Sequence, residues 1–241
     1  MPTTARRMAS IRELEARYYP DPLDDHAIFD ARVRRYLTPD ASVLDAGAGR
    51  GLRNRYDYAG SVTRLVGVDL DPEVKNNPNL DEAVVADLAS LPFEDASFDL
   101  VFSKYVFEHI PRPVDTLREF RRVMKPGGHL VFHTPNRFHY VAIGAMLTPQ
   151  RFHVWFNERR GRDAEDSFPT EYRVNDERTI QRLCRRTGFS VAGLRLIEPK
   201  PDYLTFHPLA YRAGVVYERI VNRWDALRRV RCVIVGDLAA V

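Results

Sequence analysis

Val43-Leu44-Asp45-Ala46-Gly47-Ala48-Gly49-Arg50-Gly51 decides how this chain is read. A short apolar run ends in three alternate glycines. That pattern makes a strand running into a tight turn at the carboxyl edge of a sheet, where missing side chains let a ligand approach the backbone. A phosphate-binding loop would end in Gly-Lys-Ser/Thr, which is absent. The dinucleotide fingerprint G-x-G-x-x-G needs glycine at 52, where leucine stands. A plain glycine connection from strand to helix is the remaining reading of the loop by itself.

The segments downstream extend the pattern. Val66-Gly67-Val68-Asp69 is a second apolar run that ends in an acid, 18 positions past Gly51. A carboxylate there is an acceptor-only group suited to the two hydroxyls of a ribose. Val85-Ala86-Asp87-Leu88 brings another acid to the next strand end, and Phe98-Asp99-Leu100-Val101-Phe102-Ser103 supplies a fourth strand. An isolated acid of this kind is ordinarily a solvated loop residue or a helix cap. Acids at successive strand ends form a series.

Strands are expected over Ser42–Asp45, Arg64–Asp69, Ala83–Ala86, Phe98–Ser103 and His129–His133. Helices are expected over 8–19, 25–37 and 113–124, the last stopped by Lys125-Pro126-Gly127-Gly128 turning into the next strand. Pro72–Asn79 leaves room for little more than one helical turn, so a degenerate crossover is expected there. Further on, a helix over 175–187 ends at Gly188, a strand covers Phe189–Ile197, a helix covers about 208–226, and a last strand lies near Val230–Val235. Largely apolar strands separated by helices imply a parallel sheet covered on both faces.

Residues 43–134 resemble the core of the class I S-adenosylmethionine-dependent methyltransferases, in particular the branch with the ubiquinone and menaquinone methyltransferases (methyltransferase type 11). The resemblance rests on the D-x-G-x-G-x-G loop, Asp69, Ala86-Asp87-Leu88 with Leu91-Pro92-Phe93, and Phe98-Asp99-Leu100-Val101. It also rests on Phe107-Glu108-His109-Ile110 and the L-x-E-x-x-R-V-x-K-P-G-G run from Leu117 to Gly128. These motifs cover about the central two fifths of the chain; the flanks match only in general plan. The implied fold is α/β: a Rossmann-like, doubly wound, mostly parallel seven-stranded sheet with a final antiparallel strand. One domain is expected over 1–241, with N-terminal helices (1–42), the cofactor core (43–134), a lid insert (135–174) and a C-terminal part (175–241).

The resemblance implies S-adenosyl-L-methionine as cofactor. Asp45, Gly47, Gly49 and Gly51 would form the loop past its methionine portion, Asp69 would hold the ribose, and Leu70 would lie on the adenine. Asp87 would accept from the adenine amino group beside a backbone contact from Leu88. Ser103, Lys104 and Tyr105 would border the sulfonium. His109 and His133, expected at or past strands four and five, are the candidate general bases; His133 is equally readable as an interior histidine, and for His109 the structural reading is the favoured one. No histidine pair at metal-ligand spacing falls on an expected helix, so no metal is expected.

Composition sets the remaining bounds. The chain has 241 residues, 44% hydrophobic and 11% aromatic, enough for a core. Its net charge is +3, from 36 basic and 33 acidic side chains, and its pI is near 8.9. No stretch reaches the roughly 18 apolar residues of a membrane span. The N-terminus shows no secretory h-region, and Cys184 and Cys232 match neither a disulfide framework nor a zinc motif. The expectation is a cytoplasmic, reducing compartment.

Pro135–Val174 is too long for a plain connection and carries Phe138, Tyr140, Phe152, His153, Trp155, Phe156, Phe168 and Tyr172. It reads as a lid over an apolar or ring-containing acceptor, or as a satellite core. The 208–226 helix places Leu209, Val216, Ile220 and Trp224 near one stripe and Arg212, Arg219 and Arg223 on another. Packing on its own domain or a partner subunit is the expectation for it, with peripheral membrane contact the second reading. A small-molecule acceptor is expected, lipophilic or a natural-product intermediate. RNA, DNA or protein acceptors are disfavoured because Ser103-Lys104-Tyr105 replaces the D/N-P-P-Y/F motif and no basic domain is present. A nicotinamide oxidoreductase is disfavoured by the glycine spacing. A non-catalytic S-adenosylmethionine-binding protein stays open, since the motif reports binding rather than turnover.

Overall fold

A computed structural model describes residues 4–51, 57–147 and 170–241. The chain divides into two compact units. One comprises the described residues of Met1–Asp25, Asn136–Phe168 and Leu196–Val233, the other those of His26–Pro135, Pro169–Arg195 and Ile234–Val241.

The second unit carries nearly all of a seven-stranded sheet: β1 (Ser42–Ala46), β2 (Arg64–Asp69), β3 (Glu82–Val85), β4 (Phe98–Lys104), β5 (Met124–Pro135), β6 (Phe189–Ile197) and β7 (Val233–Ala240). The order is β3-β2-β1-β4-β5-β7-β6. β1 pairs in parallel with β2 and with β4, β2 with β3, and β4 with β5. The backbone N–H of Val241 donates to the carbonyl of Gly188 (3.0 Å). β7 thus finishes where β6 begins, as antiparallel neighbours do. Val43, Leu44, Val66, Val68, Leu100, Val101, Leu130 and Val131 are buried, as expected of central strands covered on both faces.

Helices α2 (Asp25–Arg34), α3 (Pro113–Val123) and α5 (Glu177–Thr187) serve this unit, and α3 lies against α5. Asp176 caps α5 by accepting from the Thr179 N–H (2.9 Å), and Gly188 ends it in the left-handed conformation. The expected degenerate crossover is a single 3-10 stretch, Pro72–Asn76, started by Asp71 accepting from the Glu73 N–H.

Two strands differ from expectation. Lys125-Pro126-Gly127-Gly128 lies inside β5 rather than ahead of it, because Met124 already pairs with Phe98; the register then shifts before Leu100 meets His129. β7 begins at Val233 rather than near Val230 and runs past the expected end at Val235 through Gly236-Asp237 to Ala240. Gly236 and Asp237 are each needed by a neighbour. A Cβ on Gly236 would sit 2.1 Å from the Phe132 ring. Asp237, almost fully buried, accepts from Tyr36 Oη (2.8 Å) and Arg32 (3.1 Å) and contacts His129 Nδ1 (2.8 Å).

In the first unit α1 (Thr4–Tyr18) packs on α6 (Pro208–Arg223) through Ile11, Leu14, Tyr211 and Val215, with Tyr18 and Tyr19 against them. Tyr19 Oη donates to Glu218 (3.1 Å). A third helix, α4 (Tyr140–Leu147), went unrecognised in the sequence. The inward face of α6 is Tyr211, Gly214, Val215, Glu218 and Val221. The helix thus packs on its own unit, as expected, while the stripe Leu209, Val216, Ile220 and Trp224 is exposed.

Adding a methyl group at Gly236 forces the Phe132 ring or β7 to shift. Gly236→Ala should therefore cost about 1–3 kcal/mol in denaturant unfolding. An unchanged midpoint would show that Phe132 has room the packing does not suggest.

Candidate active site

β1 delivers a buried strand end to the loop Gly47–Gly51. All three glycines are left-handed, with φ of +87°, +51° and +73°, which strains any side chain. Their surroundings differ. A Cβ on Gly47 would lie 2.1 Å from Val106 Cγ2, and one on Gly51 would lie 2.2 Å from Asn77 Oδ1. At Gly49 nothing is nearer than Asp69 Oδ2 at 4.0 Å. The outer glycines answer the protein's own packing, while the middle one leaves bare backbone beside the acid that ends β2.

Two asparagines brace the loop. Asn77, buried, donates through Nδ2 to the carbonyls of Ala48 and Gly49 (3.2 Å each). Its Oδ1 accepts from the Asn79 N–H (3.0 Å), and Asn79 Nδ2 donates to the Gly51 carbonyl (3.2 Å). Sequence reasoning passed over both. The available signal was the shortness of the crossover, which leaves Asn76-Asn77-Pro78-Asn79 to fold back where a helix would otherwise run.

Asp69 Oδ2 accepts from the Gly49 N–H (2.9 Å) and Oδ1 from the Asp71 N–H (2.9 Å). Each carboxylate oxygen keeps a second lone pair, enough for a diol. Leu70 beside it is 68% exposed, a large apolar side chain left open at a strand end. Asp45 is buried in β1 between Gly67 and Phe102. Asp87 accepts from the Ala89 N–H (2.9 Å) and pairs with Arg112; Leu88 is half-buried.

Ser103 Oγ donates to the Ala46 carbonyl (2.8 Å) and ties β4 to β1 at the glycine loop. Lys104 follows, half-buried. Tyr105 has φ +58°, an uncommon conformation for a bulky residue, and its N–H donates to the His133 carbonyl (2.9 Å). Its ring meets the His133 ring edge-on, with centroids 4.6 Å apart. His26 of α2 stacks on His133 at 5.4 Å, and Phe29 closes the group at 5.9 Å. His133 is therefore walled by aromatics and only 1% exposed.

His109 ends a 3-10 turn, Phe107–His109, with its side chain 29% exposed and Nε2 4.0 Å from Glu108 Oε1. Glu108 is buried. Its Oε2 accepts from Thr134 Oγ1 (3.0 Å), which accepts in turn from Asn175 Nδ2 (2.6 Å). The Glu108 carbonyl takes the N–H groups of Glu171 (2.7 Å) and Tyr172 (3.1 Å). Burial pushes the Glu108 carboxyl above its ordinary value, against the pull of neighbouring His109. Of the aromatics expected in a lid, Phe152, His153, Trp155, Phe156 and Phe168 lie outside the described residues; Tyr172 is buried.

Residues 44–132 match the family model of a methyltransferase domain. The chain is 37% identical over 131 residues to a sarcosine/dimethylglycine N-methyltransferase of Halorhodospira halochloris, covering 46% of this chain and 47% of that enzyme. It thus spans less than half of that relative. It is 26% identical over 208 residues to a ubiquinone biosynthesis O-methyltransferase of Burkholderia thailandensis, covering 79% of each. Among solved structures, geranyl diphosphate C-methyltransferase from Streptomyces coelicolor, in complex with Mg2+, geranyl diphosphate and S-adenosyl-L-homocysteine, superposes with a TM-score of 0.53 at 17% identity, over 90% of this chain and 78% of that one. This last likeness is one of fold.

A buried carboxyl whose value is raised on folding stabilises the fold below its ordinary value of 4.5 and loses that contribution as pH climbs towards the raised value. Glu108→Gln keeps an acceptor for Thr134 and cannot ionise. Its melting temperature relative to the parent should therefore rise with pH above 4.5. A difference independent of pH would mean that folding does not raise the Glu108 carboxyl.

Proposed function

We propose that this chain, a member of the class I S-adenosylmethionine-dependent methyltransferase family, transfers a methyl group to a small-molecule acceptor. The observation that carries the reading is the bare Gly49 backbone hydrogen-bonded to Asp69, with Leu70 open beside it. Those residues fit the cofactor: a flat approach for the methionine portion along Gly47–Gly51, a carboxylate for the ribose diol, and an apolar surface for the adenine. Asp87 and Leu88 would meet the adenine edge, with Arg112 holding the Asp87 carboxylate in place. When bound, S-adenosylmethionine supplies an electrophilic methyl on a good leaving group.

The protein's task is to hold the acceptor in line with that methyl and to keep the site dry. Ser103, Lys104 and Tyr105 would border the reacting centre. The strained Tyr105, backed by His133, His26 and Phe29, would give the acceptor a fixed aromatic wall. His133 is enclosed and would act by positioning Tyr105. His109, the more exposed of the two, is better placed to take a proton from a hydroxyl or carbon acid. Two relatives, named for N-methylation of sarcosine/dimethylglycine and for ubiquinone biosynthesis, support a small-molecule acceptor. An aromatic wall suits a lipophilic or ring-bearing acceptor.

Asp69→Ala should weaken S-adenosylhomocysteine binding by a few kcal/mol in calorimetry, since two ribose hydroxyls lose their acceptor. Unchanged affinity in a folded variant would remove the ribose role. Tight binding of NADH without binding of S-adenosylhomocysteine would overturn the cofactor assignment.

A further inference from the structure

α6 has two apolar faces, and only one is covered. At about 100° per residue, Leu209, Val216 and Ile220 fall within about 40° of one another on the outward side. They are 65%, 58% and 42% exposed, and Trp224 continues the row at 59%. Arg212 and Arg223, both exposed, run along one flank of this stripe. Arg219 lies on the same flank, its guanidinium anchored to the Tyr18 carbonyl (2.8 Å) and its side chain still 59% exposed. Between Phe206 and Trp224 the only acid is Glu218, which faces inward and accepts from Tyr19 and Asn222. Asp225, just beyond, is engaged by Arg228 (3.0 Å) and Arg231 (3.7 Å).

We propose that the outward face of α6 docks on an anionic lipid surface, with Leu209, Val216, Ile220 and Trp224 entering the interface and Arg212 and Arg223 meeting the headgroups. No helix among the described residues is long and apolar enough to cross a membrane, so the contact is peripheral. An apolar row ending in tryptophan and flanked by arginine is the composition of helices that lie in the interfacial plane. Charge decides against a second copy of this chain as the occupant. The stripe and its flank on α6 carry no acid, so stripe-on-stripe pairing would bring arginine to arginine, whereas anionic headgroups complement them. Each arginine near such a surface strengthens binding roughly fivefold. Nothing in this inference depends on methyl transfer.

The test is flotation of the full chain with vesicles of phosphatidylcholine alone or with about a third phosphatidylglycerol. The expected result is at least tenfold stronger binding to the anionic vesicles, weakening as salt rises. V216E/I220E should lose tenfold or more with an unchanged melting temperature, because both side chains project into solvent. R212E/R223E should lose the preference for anionic vesicles. Of the two tryptophans, Trp155 can be replaced by Phe, and Trp224 emission should then shift to the blue on vesicles. No binding, equal binding to neutral vesicles, or full binding by V216E/I220E would each overturn the proposal. So would a dimer in sedimentation velocity that V216E/I220E dissociates, since a second copy would then cover the stripe.

Discussion

Everything at the site depends on β1 being paired on both sides. Its register is fixed against β2 from Ser42↔Arg64 to Ala46↔Val68, and against β4 from Val43↔Leu100 to Asp45↔Phe102. The chain continues outward from β1 to β2 and β3 on one side and resumes with β4 and β5 on the other. The carboxyl end of β1 therefore opens into the crevice where strand order reverses. Slipping β1 by one residue would turn every one of its side chains to the other face and misdirect the glycine loop. Side chains guard against this at both ends. Asp99 accepts from the Ser42 N–H (2.8 Å) while holding Lys125, and Ser103 bonds the Ala46 carbonyl.

Seen this way, much of the family resemblance is scaffold rather than binding surface. Arg122, in the run before Pro126-Gly127-Gly128, donates to the carbonyls of Leu91 (3.1 Å) and Phe93 (2.7 Å) and pairs with Glu119 (2.6 Å) and Asp95 (2.7 Å). Glu119 in turn accepts from the Leu91 N–H (2.8 Å). One guanidinium thus staples the Leu91-Pro92-Phe93 loop, which leads into β4, onto α3. Exposed ion pairs alone would contribute little. Backbone carbonyls that would otherwise need water give the contact its use. Asp99 and Lys125 are a second such pair, joining two motifs that look unrelated in sequence.

The strands and the glycine loop were legible because their signals are local: apolar runs, a left-handed turn and an acid at a fixed interval. β2 and β6 and the end of α5 at Gly188 fall where periodicity and capping put them. What escaped was set by partners distant in sequence. Gly236 and Asp237 lie beyond the expected last strand, and only Phe132, His129, Tyr36 and Arg32 beside them show why the strand continues. Asn77 and Asn79 look like loop residues until the crossover folds back on Gly49 and Gly51. Glu108 stands within a recognised motif, yet its link through Thr134 to Asn175 spans two further segments.

α6 shows why amphipathic pattern does not by itself tell inside from outside. Both of its stripes are apolar, and the outward one, with leucine, isoleucine and tryptophan, is the more hydrophobic. Shape and hydrogen bonding decide instead. A Cβ on Gly214 would stand 2.5 Å from Pro201 and 2.8 Å from Leu204, so the absent side chain lets the helix approach that segment closely. Tyr211 fills the space against Tyr19 and α1. The inward carboxylate of Glu218, costly to bury alone, is satisfied by Tyr19 Oη and Asn222 Nδ2. Asn222 also donates to the Glu198 carbonyl (3.0 Å), and Tyr217 Oη to the Val230 carbonyl (2.6 Å), fixing the helix's rotation. With the rotation fixed, Leu209, Val216 and Ile220 face solvent because every stronger geometric demand lies on the other side.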